Sequence, residues 1–142
     1  MEYGVKVVTG GDLMEKNIKK QYRGFRDLTV FKLSYQLALD IFEVTKLFPK
    51  EEKYSLVDQV RRSSRSVSVN IVEAWYKRTY PKSFISKLID SAAEAGETGV
   101  WIEFAADHGY LSKDKRIYLQ EKYDEINKML NSMINQPEKF CH

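Results

Sequence analysis

Beyond residue 24 the sequence holds only three glycines (Gly96, Gly99, Gly109) and three prolines (Pro49, Pro81, Pro137). A sheet of many strands needs turn residues far more often than that. Between these marks, apolar residues recur at spacings of three and four, the period of one helix face. The chain is therefore expected to be all-α, with long helices joined by few turns. Its 142 residues suit one domain. The 43% apolar and 30% charged residues are those of an ordinary globule and exclude wholesale disorder.

Four helices can be placed. The first is predicted from about Thr29 to Leu47, capped by Asp27 or Thr29, with Val30, Leu33, Leu37, Ile41, Val44 and Phe48 on one face. Pro49 ends it by pushing Phe48 out of helical geometry. The second is predicted from about Ser55 to Lys77, with Ser55 as cap and a core stripe of Leu56, Val60, Ser63, Val67, Ile71 and Ala74. The third runs from about Pro81 to His108; Pro81 suits a first turn and Gly109 the position past the end. Its stripe is Phe84, Ile85, Leu88, Ala92, Ala95, Gly99, Ile102 and Ala106. The small residues in that stripe, with Ser63 and Ser64 on the second helix, predict a close approach of these two helices. The fourth runs from about Ser112, its cap, to Asn135, and buries Leu119, Tyr123, Ile126, Leu130 and Met133.

Such helices with short connections predict an antiparallel up-down-up-down four-helix bundle over residues 28–136. Residues 1–27 then form an N-terminal extension, with Leu13, Ile18 and Tyr22 able to make a short amphipathic turn. That extension is expected to be partly disordered or held by a neighbouring subunit. Residues 137–142 are expected to be a C-terminal tail.

The net charge of +3 is too mild to imply nucleic acid by itself, but it is unevenly spread. Residues 54–80 carry five basic and two acidic groups, and residues 81–111 carry two basic and five acidic ones. Segments of opposite sign attract one another, within the molecule or between subunits. The lone Cys141 excludes an internal disulfide and fits a reducing cytoplasm. No apolar run approaches the roughly 18–20 residues of a membrane span, and no secretory signal pattern is seen.

Two helices have a second apolar face. On the second, Arg61, Arg62 and Arg65 share an outer arc about 100° wide with Val69, Val72 and Tyr76. On the third, Val100, Trp101 and Phe104 lie largely opposite the small-residue stripe. A monomer leaves such residues in water, so these six are the expected oligomer interface; tilted helices and covering termini are the alternative.

The best basic cluster is Arg61, Arg62, Arg65, Lys77 and Arg78, with Tyr76 and Tyr80 interleaved for stacking on bases. It is read as the nucleic-acid-binding surface, RNA or DNA, against an alternative of ion pairs between subunits with Asp90, Glu94 and Glu97 of the third helix. Asn70 and Glu73 are neighbours on the second helix. With Gln59 and Arg62 as partners they read as a polar network between helices or subunits; a catalytic pair would need further convergent groups. His108 and His142 stand in no metal-binding spacing, and His108 reads as a favourable charge at a helix C-terminus. Cys141 has no partner for nucleophilic chemistry. Gly96 and Gly99 lie inside a helix and form no phosphate loop. No catalytic residue, metal or cofactor is expected.

Several stretches carry a family resemblance: Phe48-Pro49-Lys50-Glu51-Glu52; Leu56-x-x-Gln59-x-x-Arg62-x-x-x-Ser66; Ser66-Val67-Ser68-Val69-Asn70-Ile71-Val72-Glu73-Ala74; Glu97-Thr98-x-x-Trp101-Ile102; and Asp107-His108-Gly109-Tyr110-Leu111. Over residues 30–134 the chain resembles the bacterial "four helix bundle proteins", also called 23S rRNA intervening-sequence proteins. The family usually has a glycine where Ala74 stands, which favours an unbroken helix here. The resemblance implies a four-helix protomer assembling into a homopentameric ring, with no established enzymatic activity. A similar fold serves as the accessory protein of diversity-generating retroelements, which works with a reverse transcriptase and RNA. A closing ring requires a heterologous interface, in which each subunit uses two different faces. The expected function is a non-enzymatic oligomeric scaffold that binds nucleic acid or a nucleic-acid-processing partner. The alternatives are a purely structural homo-oligomer and an enzyme with a site around Asn70 and Glu73.

Overall fold

Leu56, Val60, Ser63, Val67, Ile71 and Ala74 are all buried, as the helical period of the second segment requires. Residues 22–142 are described by the computed structural model of the chain. The expectations on Leu13 and Ile18 lie outside these residues. Four helices account for most of the fold: α1 (Thr29–Thr45), α2 (Leu56–Tyr76), α3 (Pro81–Asp107) and α4 (Lys113–Asn135). Short 3-10 turns at Phe25–Asp27, Lys50–Glu52 and Pro137–Lys139 complete the described elements, and there is no strand among the described residues. α2 packs most extensively on α3, α3 on α4, and α1 on both α2 and α4, which gives a four-helix bundle with α1 and α3 at opposite corners. α2 runs unbroken through Ala74.

The core is aliphatic at its centre: Leu37, Ile41, Ile71, Leu88, Ile102, Leu119, Ile126 and Leu130 are almost wholly excluded from water. Each such side chain contributes roughly 2 kcal/mol over its exposed state. The α3 stripe sits slightly off the predicted one. Ser91, Thr98 and Ala105 are buried, whereas Ala92, Gly99 and Ala106 are only partly so.

The close approach of α2 and α3 exists, but glycine does not make it. Gly96 is exposed, and a methyl group placed on Gly96 or Gly99 meets nothing within 4 Å. Buried hydroxyls fill the seam instead. Thr98 Oγ1 lies 2.8 Å from Ser63 Oγ and 2.8 Å from the Glu94 carbonyl, and Ser91 Oγ donates to the Val67 carbonyl at 2.8 Å. Ser34 and Ser68 join α1 to α2 in the same way, at 2.8 Å. Small polar side chains can be buried here because each hydroxyl finds an acceptor.

The caps follow the sequence in part. Ser112 Oγ accepts the Lys115 N–H at 3.1 Å. Gly109 takes φ +82, with Gly109 N–H donating to the Ala106 carbonyl and Tyr110 N–H to the Ala105 carbonyl, a Schellman ending. Neither Asp27 nor Thr29 caps α1; Leu28 holds that position, and Asp27 instead accepts the Arg23 N–H. Ser55 makes no cap hydrogen bond to α2. Its hydroxyl donates to Glu52 Oε1, which itself receives the Leu56 N–H.

Both ends of the described chain are packed rather than trailing. Tyr22 is buried against Trp75 and Phe140, and Leu28, Phe140 and Cys141 belong to the same core. Residues 22–27 and 137–142 therefore extend the bundle beyond the limits predicted for it. The physical reason is that Trp75 and Phe84 leave an aromatic end to the core, and Tyr22 and Phe140 pack against it.

Candidate functional site

α1 carries two apolar stripes. One faces the core. The other, Phe31, Tyr35, Leu39 and Phe42, repeats at four, four and three residues beside α2; Tyr35 and Leu39 are exposed, Phe42 is half-buried, and Phe31 at its start is buried in the core. There it meets Val69 and Val72 and encloses an open groove of about 650 Å³. Arg26 and Arg65 stand at its edges, and the lining has no carboxylate. Arg26 lies 5.0 Å from the Phe25 ring centre, and Arg61 and Arg65 lie 4.4 and 5.9 Å from that of Phe42. Cations over ring faces are held in place by the ring quadrupole, so the edge is a fixed positive border.

The outer face of α3 is the second unpartnered surface. Ile89, Val100 and Phe104 are each about half exposed and share one arc of the helix. Phe104 is stacked between Trp101 and His108, at 5.9 and 6.1 Å. The charges along this face are mostly negative: Asp90, Glu103 and Asp107 are exposed, and the exposed Lys82 stands two turns before Ile89. Asp90 faces Lys87 and Asp107 faces Arg116, while Glu103 has no ion-pair partner among the described residues.

The residues expected to contact nucleic acid do not form one free cluster. Arg61 donates to Thr45 Oγ1 at 2.8 Å and to the Phe42 carbonyl, which ties α2 to α1. Arg62 pairs with Glu94 and Glu97 of its own chain, so for this residue the acidic groups of α3 expected from a neighbouring subunit are supplied within the protomer. Arg78 lies 3.5 Å from the Trp75 ring centre and donates to the Trp75 carbonyl; burial pulls its guanidinium below the ordinary arginine value. Only Arg65 and Lys77 remain exposed without an ion-pair partner among the described residues.

Of the six residues expected at an oligomer interface, Val69, Tyr76, Val100 and Phe104 are exposed, at 53%, 73%, 50% and 48%. Val72 lines the groove and also leans on the core. Trp101 belongs largely to its own chain. It packs against the core, and its indole N–H donates to Glu97 at 3.1 Å.

Gln59, Asn70 and Glu73 are not brought together as one network. Gln59 accepts from Arg62, Asn70 donates to the Ser66 carbonyl one turn back, and Glu73 receives Lys87 at 2.8 Å. The hydrogen bond and charge of Glu73 push the Lys87 ammonium above its ordinary value. The polar network that does form is Gln59–Arg62–Glu94/Glu97–Trp101. All of its members but Glu94 stand in the quoted motifs, but their joining across α2 and α3 was not legible from spacing within one helix. No group of three or more His, Cys, Asp or Glu among the described residues is placed to hold a metal ion.

A second node joins the α1–α2 connection to the end of α3. The Tyr110 hydroxyl donates to Glu52 Oε2 at 2.9 Å, and the Phe48 and Tyr110 rings lie 5.3 Å apart. Hydrogen bonds from Ser55 and Tyr110 hold the Glu52 carboxyl below the usual carboxylate value, and the same contact raises the Tyr110 hydroxyl.

The family model described as 23S rRNA-intervening sequence protein matches residues 26–132. The chain belongs to that family. A solved structure described as a protein with unknown function from the S23 ribosomal protein family, from Bacteroides thetaiotaomicron VPI-5482, is 31% identical to it. The likeness has a TM-score of 0.68 and covers 75% of this chain and 95% of the other. No curated protein matches the chain. In this 23S rRNA-intervening sequence protein the quoted motifs meet in pairs: Gln59 and Arg62 with Glu97 and Trp101, and Phe48 and Glu52 with Tyr110. These contacts join helices inside one protomer, so the motifs account for the bundle. The groove and the α3 face stand apart from them. No helix among the described residues is long and apolar enough to cross a membrane.

Proposed function

We propose that the chain is a self-assembling, non-catalytic scaffold that works with nucleic acid or with a protein that processes it, in the cytoplasm. The observation that carries this reading is the pair of unpartnered apolar faces on different helices, one bordered by arginine and the other by carboxylates. Exposed apolar surface of this kind marks an association site, and two different faces are what a closed ring of copies requires. The protomer is taken as an antiparallel up-down-up-down bundle and the assembly as a homopentamer, in line with the family resemblance. The non-catalytic part is supported by Asn70 and Glu73, which are engaged separately and converge with no third group. The nucleic-acid part rests on the family's description and on the exposed Lys77. Repetition of this charge around a ring raises a weak contact through avidity.

Light scattering of the purified chain should give a mass several times 16.6 kDa. Filter retention of labelled RNA should occur at low salt and fall steeply as salt rises, because phosphate contacts release counterions. A monomer that retains neither RNA nor DNA refutes the proposal. A second reading, a purely structural oligomer, is favoured by the engagement of Arg61, Arg62 and Arg78 inside the protomer; it predicts assembly without nucleic-acid retention.

A further inference from the structure

We infer that the groove between α1 and α2 receives the outer face of α3 from a second copy of the chain, head to tail. This rests on the proposed self-assembly and names the two surfaces that carry it.

Charge decides the pairing. The groove has Arg26 and Arg65 at its edges and no carboxylate in its lining. The α3 face has Asp90, Glu103 and Asp107 beside Ile89, Val100 and Phe104. Groove on groove brings arginine to arginine, and α3 on α3 brings carboxylate to carboxylate. Like charges set against each other in a contact oppose association. Of these three pairings, groove to α3 alone buries apolar surface and opposite charge together.

Length agrees with charge. From Phe31 to Phe42 the groove follows α1 for roughly 16 Å, and Ile89 to Phe104 spans about 22 Å of α3, at a rise of about 1.5 Å per residue. The α3 face is thus long enough to span the groove, with about 6 Å to spare. The two surfaces also leave each other free within one protomer, since α3 occupies the corner opposite α1. Each copy can therefore give one face and receive another.

Two variants test this. Val69→Glu places a carboxylate in the groove, and Phe104→Lys places a cation on the α3 face. Both positions are about half exposed, so each protomer should keep its helicity and melting cooperativity, checked by circular dichroism. Sedimentation velocity should find each variant monomeric under conditions where the wild-type chain assembles. Mixed in equal amounts, they should form a dimer and nothing larger, because the intact α3 of the first fits the intact groove of the second. A mixture that stays monomeric, or a variant that assembles like the wild-type chain, overturns the pairing while leaving self-assembly standing. A wild-type chain that is itself monomeric overturns self-assembly and the pairing together. If that monomer binds a labelled single-stranded RNA and Val69→Glu abolishes the binding, the groove belongs to nucleic acid and the pairing is wrong.

Discussion

Replacing Thr98 by valine should destabilise the bundle more than replacing Thr98 and Ser63 together. Thr98 is wholly buried, and its hydroxyl has one proton for two neighbours: Ser63 Oγ and the Glu94 carbonyl, each 2.8 Å away. If Thr98 donates to Glu94, Ser63 donates to Thr98. Valine keeps the branched shape but removes both contacts. Ser63 then keeps only the Val60 carbonyl, at a long 3.4 Å. The lost hydrogen bond costs about 1 kcal/mol, and the Ser63 hydroxyl left nearly unsatisfied in the core adds about 1–2 kcal/mol. The expected cost of Thr98→Val is therefore about 2–3 kcal/mol. Adding Ser63→Ala removes the stranded hydroxyl, and the double variant should recover at least about 1 kcal/mol of that loss. The assay is urea unfolding of the four proteins at one protein concentration, read as a double-mutant cycle. A single variant costing under about 0.5 kcal/mol, or a double variant costing the sum of the two singles, refutes the view that hydroxyl pairing closes the α2–α3 seam.

Three further outcomes are expected. Glu52 has its carboxyl held below the ordinary 4.5, so it stabilises the fold above that pH, and the contribution disappears as pH falls through the folded-state value. Thermal melts on acidification should show a shallower loss for Glu52→Gln than for the parent below about pH 4.5. Gly109→Ala must hold a φ of +82 and should cost about 1–2 kcal/mol; an unchanged melting temperature would exclude the left-handed ending of α3. Gly96→Ala adds a methyl group that meets nothing within 4 Å and should stabilise the assembly-blocked Phe104→Lys protein against urea unfolding by about 0.8–1 kcal/mol through helix propensity alone.

Much of the bundle was legible because helical periodicity is local. The stripes of α2 and α4 needed only the order of residues, and Gly109 and Ser112 act through their own backbone neighbours. The α3 stripe shifted because Ser91 and Thr98 are polar by type. Their burial becomes favourable only when α2 supplies the Val67 carbonyl and the Ser63 hydroxyl. Leu28 and Glu52 took over the helix starts for the same reason: a carboxylate three residues before Ser55 reaches the Leu56 N–H only because the Lys50–Glu52 turn folds it back. The basic arc read from the sequence has the right residues on one face, yet three of its five cations are engaged by groups of α1, α3 or Trp75. The second stripe of α1 is visible in the spacing of Phe31, Tyr35, Leu39 and Phe42, but one helix seen alone does not show which of two stripes faces in.

The scarcity of glycine and proline, with apolar residues at three and four, determined by itself that residues 29–135 are helical and, to within a residue or two, where the four helices lie. That is a property of neighbouring residues along the backbone. Tertiary structure decided which charges are satisfied inside the protomer and which apolar faces are left open. Those outcomes depend on distances between residues far apart in sequence: 16 positions from Thr45 to Arg61, and 35 from Arg62 to Glu97. No periodicity encodes them. The groove bordered by arginine and the acidic face of α3 are what remains once the core and its ion pairs have been made.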